Sequence, residues 1–351
     1  MRLLSPIIAK LHARLCPRSW SAMWLLLLVV CSASAPLANA ERTLQGESCL
    51  SLKEIARSLG LSLKVIVPQE ATYLEGKGIK LKFQSNKRDC MVQDVKVVLG
   101  FPATLCVGDL YISKRDYEGT LLPILLPQRF RMPHAGKVHR VVIDPGHGGK
   151  DQGAENKSMG LVEKKLALDL AQRLCALLKS KGYEVILTRT EDVFVGLEAR
   201  SLFSNKQKAD LFISVHFNTA PTPQAHGVET FALTSCMQVS SGRSKLEAED
   251  RKSFPGNQWD PWNVLLGFYM QRALIQDLEA QDRGLKRARF VVLKDLACPG
   301  VLIEGGFLTN PQEAKKIQDP AYRQKIAIAI AEGVDQYHQT LKRLASQTPA
   351  A

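Results

Sequence analysis

Three apolar segments of the sequence each end in a side chain that can bind a metal or carry a proton. His147 stands in VVIDPGHGG, His216 in LFISVHFN and Glu304 in VLIEGG. Each apolar run predicts a buried strand, and open α/β sheets bind their ligands at the carboxyl ends of such strands. A carboxylate that directly follows a buried strand also needs a partner, because burying it unpaired is costly. The pattern therefore indicates a polar site at one edge of a sheet.

A fourth polar residue, Glu163, opens a predicted amphipathic helix. Residues 161–179 repeat leucines at helical spacing, and an acidic residue in the first turn often does no more than stabilise the helix dipole. The alternative is that Glu163 joins His147 and His216 in binding a metal. Two imidazoles and one carboxylate are typical of catalytic zinc sites that keep one position open, although iron or manganese would accept the same ligands.

The residues alone indicate metal-assisted hydrolysis of an amide or an ester and nothing narrower. In order and context, however, the four segments resemble the zinc-dependent N-acetylmuramoyl-L-alanine amidases of the amidase-3 type. Residues 184–200, EVILTRTEDVFVGLEAR, are also similar to that family's T-R-T-x-D…L-x-x-R stretch, so the resemblance extends over residues 138–341. It implies an α/β fold of the phosphorylase/hydrolase-like kind, with an open, mostly parallel sheet and helices on both faces.

The resemblance also implies a division of roles among the four residues. His147, Glu163 and His216 would bind Zn²⁺, which lowers the pKa of a bound water and polarises the scissile carbonyl. Glu304 would be the catalytic general base and acid. The bond cut would be the amide between N-acetylmuramic acid and the L-alanine of the peptidoglycan stem peptide.

Two other classes of protein stay open. Another zinc hydrolase of the cell wall, such as a carboxypeptidase, would need an arginine to hold the terminal carboxylate, and no candidate stands out in the motif loops. A non-catalytic wall-binding regulator would have no need for Glu304. The resemblance allows a protein activator as a further partner.

The first forty residues have the features of a secretory signal peptide. Basic residues precede the apolar run at residues 23–30, which is too short to span a membrane comfortably, and an A-x-A site ends at Ala40. The sequence therefore predicts an extracytoplasmic protein, periplasmic or secreted, with no stable membrane insertion after cleavage near Ala40. Lipid anchoring at Cys31 is disfavoured because Val30 stands where a small residue is expected.

The charge of the chain indicates an anionic partner. The formal net charge is +13, and removal of the four basic residues of the first forty leaves +9. This suits an anionic cell-envelope polymer such as peptidoglycan. Nucleic acid is excluded as the preferred partner because basic and aromatic residues are not interleaved and no nucleic-acid motif is present.

Residues 41–127 are predicted to form a small α+β domain in front of the catalytic domain. A capping box at Ser51–Glu54 begins a helix that Gly60 ends, and a hairpin is predicted around Gly108. The region loosely resembles copper-amine-oxidase N-terminal-like domains, but it holds no histidine and no copper is implied. Residues 128–137 are the predicted linker, residues 138–341 the catalytic domain and residues 342–351 a tail.

The six cysteines after residue 40 form no C-x-x-C pair, which argues against a structural zinc cluster. Secretion would permit disulfides among Cys49, Cys90 and Cys106, whereas Cys175 is predicted to be a small core residue.

One polar segment is harder to interpret. Residues 235–257 are predicted to form a mobile surface excursion that leads into a helix over residues 264–280. That helix is expected to pack on the sheet. The sharper hypothesis is that the excursion, with Trp259 and Trp262, borders the zinc cleft and gates it. Because the insertion is short for a complete plug, basal activity without an activator is expected.

Overall fold

The structure is a computed structural model that describes residues 42–44, 46–66, 71–133 and 136–347. The predicted signal peptide and its cleavage site lie outside the described residues. These described residues form one compact unit. No helix in the described part of the chain combines the length and the apolar character that crossing a bilayer requires.

Short strands dominate the N-terminal third of the molecule, and strands alternate with helices after it. In the described residues the strands are β1 (Arg42–Leu44), β2 (Glu47–Ser51), β3 (Ser62–Ile66), β4 (Ala71–Gly76), β5 (Ile79–Gln84), β6 (Asp89–Val92), β7 (Val95–Val98), β8 (Thr104–Cys106), β9 (Asp109–Ser113), β10 (Arg140–Pro145), β11 (Glu155–Asn156), β12 (Leu161–Val162), β13 (Glu184–Leu187), β14 (Leu211–Asn218), β15 (Val228–Leu233), β16 (Asp282–Ala288) and β17 (Gly300–Phe307). The α-helices there are α1 (Leu52–Leu59), α2 (Lys114–Asp116), α3 (Leu122–Leu125), α4 (Glu163–Ser180), α5 (Leu197–Lys206), α6 (Asp260–Leu278), α7 (Val291–Lys294), α8 (Pro311–Gln318) and α9 (Pro320–Gln347).

One large mixed sheet organises the molecule, in the order β13-β10-β14-β17-β15-β16-β7-β6-β5-β4-β3. The first four strands are parallel to one another, β15 is antiparallel to β17, and β16 is parallel to β15 and to β7. The remaining pairs, from β7 to β3, are antiparallel. The predicted α/β fold is thus confirmed, in a mixed sheet whose strands β13, β10, β14 and β17 run parallel and whose strands from β7 to β3 run antiparallel.

Helices cover both faces of the parallel strands, and the alternation of side chains shows why. On β10, Val141 and Ile143 pack into the core beneath α4, α6 and α9, whereas Val142 packs on the other side with Phe212 and Leu293. Successive side chains of a strand point to opposite faces, so a strand with an apolar residue at every position must be covered twice.

The N-terminal region combines strands with one capped helix. Ser51 accepts from the backbone of α1 while Glu54 reaches back to Ser51, and Gly60 ends the helix at φ 65°, as predicted. A separate sheet holds β1, β2, β9 and β8. The predicted hairpin is confirmed between β8 and β9, with Val107 and Gly108 at positive φ in its turn. The boundaries at 127 and 138 and the tail from 342 stay predictions, and α9 itself continues to Gln347.

The hypothesis that residues 235–257 border the zinc cleft is wrong, and so is the prediction that they form a mobile surface excursion. Within this segment Val239 and Asp250 are buried, and Asp250 forms an ion pair with Arg289 of the following region. Arg88, from the N-terminal region, donates to the carbonyl of Val239 at 3.1 Å. The segment is therefore packed between two parts of the molecule, and none of residues 234–262 lines the candidate cleft. Polarity alone suggested an exposed loop, but its polar groups have partners far away in the sequence.

The helix that follows this segment packs on the sheet, as expected. Helix α6 contacts β15, β16 and β17 and lies against α9. Trp262 is buried, and its indole N–H donates to the carbonyl of Arg131 at 2.8 Å. The tryptophan is consequently a core residue.

The structure keeps the six described cysteines as free thiols. Cys49, Cys90 and Cys106 are therefore not joined to one another. Cys175 lies in the main core, as predicted.

Candidate metal centre

The loop after β10 places His147 in a backbone conformation that few residues adopt. His147 has φ 60°, and Gly148 and Gly149 follow at φ 129° and 58°. A non-glycine residue in the left-handed region is strained and persists where the surroundings hold it. The imidazole Nδ1 of His147 lies 2.9 Å from the Asp151 carboxylate, which orients the ring and leaves Nε2 facing the site.

The structure brings the three predicted ligands together. His147 Nε2 lies 3.1 Å from Glu163 Oε2, and His216 Nδ1 lies 2.9 Å from Glu163 Oε1. One ligand atom from each residue lies within 4.8 Å of the others. Ligand atoms about 2.0–2.1 Å from a tetrahedral zinc are roughly 3.3 Å apart, so the cluster has the size that such an ion requires.

Two glycines permit this close approach. A Cβ at Gly146 would collide with the His216 imidazole, and a Cβ at Gly153 would lie 2.5 Å from Glu163 Oε2. The backbone thus closes around the three side chains where only glycine fits.

Glu163 is the first residue of α4, and its side chain turns inward. Its carboxylate accepts from the backbone N–H groups of Ala154, at 2.7 Å, and Phe217, at 3.1 Å. Burial alone would raise the pKa of Glu163, but hydrogen bonds with His147 and His216 outweigh burial and hold that pKa well below its usual range. Glu163 is therefore an ionised, buried candidate ligand. A residue that only stabilised the helix dipole would not need this burial or these contacts with two histidines.

The contact with Glu163 shifts the pKa of His147 in the opposite direction. Burial would lower the pKa of His147, yet hydrogen bonds and charge interactions with Glu163 and Asp151 raise it above its ordinary value. The negative charge of Glu163 thus favours positive charge in this cluster, as expected of residues that can surround a cation.

Glu304 lies beside the ligands without binding to them. It pairs in register with His216 on β14 and with Glu229 on β15. Among the described residues its Oε2 has no hydrogen-bond partner, although that atom is removed from solvent. Burial, followed by the negative charges of Glu163 and Glu229, raises the pKa of Glu304 well above its ordinary value.

Comparison with known proteins shows the family of this chain. The family model of the N-acetylmuramoyl-L-alanine amidases, Amidase_3, matches residues 141–336, more than half of the chain. The chain belongs to this amidase family.

Several relatives cover the same region. N-acetylmuramoyl-L-alanine amidase AmiA of Escherichia coli (strain K12) is 36% identical over 225 residues, which span 58% of this chain and 77% of that protein. LytC of Bacillus subtilis (strain 168), with the same activity in its name, is 33% identical over 57% of this chain and 35% of its own length. A crystal structure of an N-acetylmuramoyl-L-alanine amidase from Clostridium difficile 630 is 31% identical, covers 58% of this chain and 98% of its own, and has a TM-score of 0.48.

Two buried arginines of the amidase hold the His147 loop in place, and no role was predicted for either. Arg189 donates from Nη2 to the carbonyls of Gly146, at 2.6 Å, and Lys164, at 2.8 Å. It thereby joins the loop after β10 to the first turn of α4, which carries Glu163. Arg189 belongs to the T-R-T stretch on which the family resemblance was recognised, so the sequence did contain a signal.

Arg200 is the second of these arginines, and it is 1% exposed. It donates at 2.8 Å to Asp144, which is fully buried and also accepts from Thr188 and Ser214. Arg200 also donates to the carbonyl of His147 at 2.9 Å. The strained histidine is therefore supported by a completely paired network beneath it.

The cleft of the amidase above these residues holds about 400 Å³. Its lining includes the apolar side chains of Leu197, Phe290 and Val291 and the polar side chains of Asn218 and Thr219. Among the described residues no arginine or lysine lines the cleft. The cleft can therefore receive a neutral bond next to the ligand cluster, but it offers no cationic side chain to a terminal carboxylate.

Proposed function

We propose that this chain hydrolyses the amide between the lactyl group of N-acetylmuramic acid and L-alanine in peptidoglycan, with a zinc ion bound by His147, Glu163 and His216. The observation that carries the proposal is the clustering of these three side chains beside Glu304, whose buried Oε2 has no hydrogen-bond partner among the residues that the structure describes. Membership of the amidase family supports the choice of bond.

The ligand atoms follow from the hydrogen bonds. Asp151 occupies Nδ1 of His147, so His147 would bind through Nε2. His216 would bind through Nδ1, the atom that faces Glu163. A zinc ion bound there supplies Lewis-acid chemistry, in that it polarises the scissile carbonyl and makes water acidic enough to be deprotonated near neutral pH.

Glu304 carries the proton. Its carboxylate takes the proton of the attacking water and returns it to the amide nitrogen, which leaves as the amino group of L-alanine. A carboxyl group with a raised pKa can hold that proton between the two transfers. Its register position next to His216 keeps it at the ligand cluster, and the described residues that line the cleft include no arginine or lysine to pair with it.

We also propose that the mature chain begins near residue 41 and acts outside the cytoplasm, in the periplasm or after secretion. The basic, apolar and small-residue order of the first forty residues supports this, and peptidoglycan lies outside the cytoplasmic membrane. Control by a protein activator remains a prediction.

One experiment separates the amidase from its alternatives. Purified residues 41–351, loaded with zinc, are incubated with peptidoglycan sacculi, and the products are analysed by mass spectrometry. The proposal expects intact stem peptides that begin with L-alanine, together with glycan chains that keep the lactyl group. Loss of only a terminal D-alanine would indicate a carboxypeptidase, and tight binding without products would indicate a non-catalytic wall protein.

A further inference from the structure

A second large concavity lies between the N-terminal region and the C-terminal half of α9. This groove, of about 1140 Å³, is bounded by the end of α1, the β4–β5 turn and residues 124–129 on one side. Helices α6 and α9 form its other side. It shares no lining residue with the metal cleft.

The part of α9 that lines the groove lies near the amino end of β10, whereas the metal centre lies at its carboxyl end. His338, which lies between the groove residues Gln336 and Gln339 on α9, accepts from the backbone N–H of Val138 at 3.3 Å, two residues before β10 begins. His147 follows the carboxyl end of β10, and a strand of six residues spans about 20 Å. A ligand in the groove would therefore leave the metal cleft free.

The charge of the groove is of one sign. Lys77, Arg129, Arg272 and Arg343 line it, and no acidic side chain does so within the described ranges. Lys77, Arg129 and Arg343 are exposed. Five glutamines add amide groups that can donate hydrogen bonds. These are Gln93, Gln128, Gln336, Gln339 and Gln347.

The cation at the base of the groove is held in place. The Arg272 guanidinium lies 4.8 Å from the ring centre of Tyr269 and donates to Gln336 at 2.5 Å. Gln336 in turn donates to Glu332, which lies outside the groove. On the opposite side Lys77 donates to the Leu59 carbonyl at 3.1 Å. Two walls from distant parts of the chain thus present ordered cations to the same space, which lowers the entropic cost of binding an anion.

We infer that this groove is a second, non-catalytic site that binds the carboxylates of peptidoglycan stem peptides. This rests on the proposed function, which makes peptidoglycan the polymer that the chain meets. Guanidinium groups pair with carboxylates through two parallel hydrogen bonds, and a polymer that repeats its stems can occupy groove and cleft together. The groove then retains the enzyme on intact wall while the cleft acts on one stem.

The test is sedimentation with sacculi in a Glu304→Gln background, so that the wall is not digested during the measurement. Arg129→Glu with Arg343→Glu reverses two exposed groove charges. The matched control is Lys179→Glu with Lys206→Glu, which makes the same change of net charge at exposed positions of α4 and α5. The groove variant is expected to bind sacculi at least about tenfold more weakly. The loss of a single hydrogen bond to a charged group is enough to weaken binding by about that factor.

The chemistry of the wall distinguishes the source of the anion. Sacculi whose carboxylates have been converted to amides should bind the parent and the groove variant equally weakly. Sacculi stripped of phosphodiester polymers should still bind the parent more tightly than the groove variant. The inference is overturned if the groove variant and the parent bind untreated sacculi equally well, or if the control variant loses as much binding as the groove variant. It is also overturned if removal of the phosphodiester polymers abolishes the difference in binding between the groove variant and the parent. Thermal unfolding of each variant checks the fold, and muropeptide hydrolysis by the unaltered chain tests the proposed function separately.

Discussion

His216 and Glu304 pair in register on neighbouring parallel strands, β14 and β17, so their side chains emerge at the same level of the sheet. One belongs to the cluster that can bind a metal, and the other has a buried oxygen without a partner among the described residues. The sheet itself therefore sets the spacing between the proposed ligand and the proposed base. This separation of roles can be tested residue by residue.

His216→Ala should remove the metal and the activity together. The variant deletes one of three ligands, and a site of two ligands holds zinc far more weakly. Elemental analysis after dialysis should fall from about one zinc per chain to near none. His226→Ala is the matched control, because His226 is exposed and its ring contacts the Gln224 carbonyl outside the cluster. Full zinc occupancy in His216→Ala would show that the ligand assignment is wrong.

Glu304→Gln and Glu163→Gln should fail in different ways. Glu304→Gln is expected to keep its zinc and to lose about 10²–10⁴-fold in turnover, the usual contribution of a general acid–base group. Glu163→Gln should lose zinc, because the ionised carboxylate between the two imidazoles becomes a neutral amide. Zinc content and kcat are measured on the same preparations. Zinc loss in Glu304→Gln but not in Glu163→Gln would mean that the two carboxylates have exchanged roles.

Arg200→Met should destabilise the fold strongly. It leaves Asp144 buried beside Thr188 and Ser214 without its cation, a loss of about 3–5 kcal/mol in the free energy of unfolding. Arg173→Met is the comparison, since the Arg173–Asp169 pair is partly exposed and should cost under about 1 kcal/mol. Urea unfolding measures both. Similar losses in the two variants would contradict the proposed importance of the buried network.

Asp116 should make stability depend on pH. Its carboxylate accepts from the backbone of Gly100 and Phe101 and from Gln238 of the polar segment. Burial raises the pKa of Asp116 to about 6, against 3.8 in its unperturbed state, even though these hydrogen bonds and nearby arginines oppose the shift. Between these two values the unfolded chain has lost the proton and the folded chain keeps it. The contribution of Asp116 to folding therefore falls as pH rises from about 4 to 6, by about 3 kcal/mol in all.

The measurement is the difference in unfolding free energy between the parent chain and Asp116→Asn, which cannot ionise at this position. Between pH 4 and pH 6 the parent should lose stability relative to Asp116→Asn, and above pH 6 the difference should stay constant. A difference that is constant with pH, or that moves in favour of the parent, would contradict the raised pKa. Other titrating groups cancel because they are common to both proteins.

The sequence alone determined the local elements that carry the site, and it predicted the chemistry of their polar residues. Apolar runs ending in His147, His216 and Glu304 predict strands, and the leucine spacing after Glu163 predicts a helix. These signals are local, because the spacing of apolar residues that predicts a strand or a helix lies within one short segment. The resemblance to the amidases then predicts that the four side chains belong to one site, and the structure places them close together.

Only the tertiary structure decided what lies around those side chains. Arg189 and Arg200 belong to the T-R-T and L-x-x-R stretches, but that pattern does not show that they support the His147 loop by donating to backbone carbonyls. Residues 235–257 read as an exposed excursion, yet Arg88 and Arg289 bind them from distant parts of the chain. The large sheet likewise continues from β16 into β7, through a pairing of residues almost two hundred positions apart. Such contacts depend on which surfaces meet after folding, and burial of partnered polar groups is a property of the assembled structure, not of the local sequence.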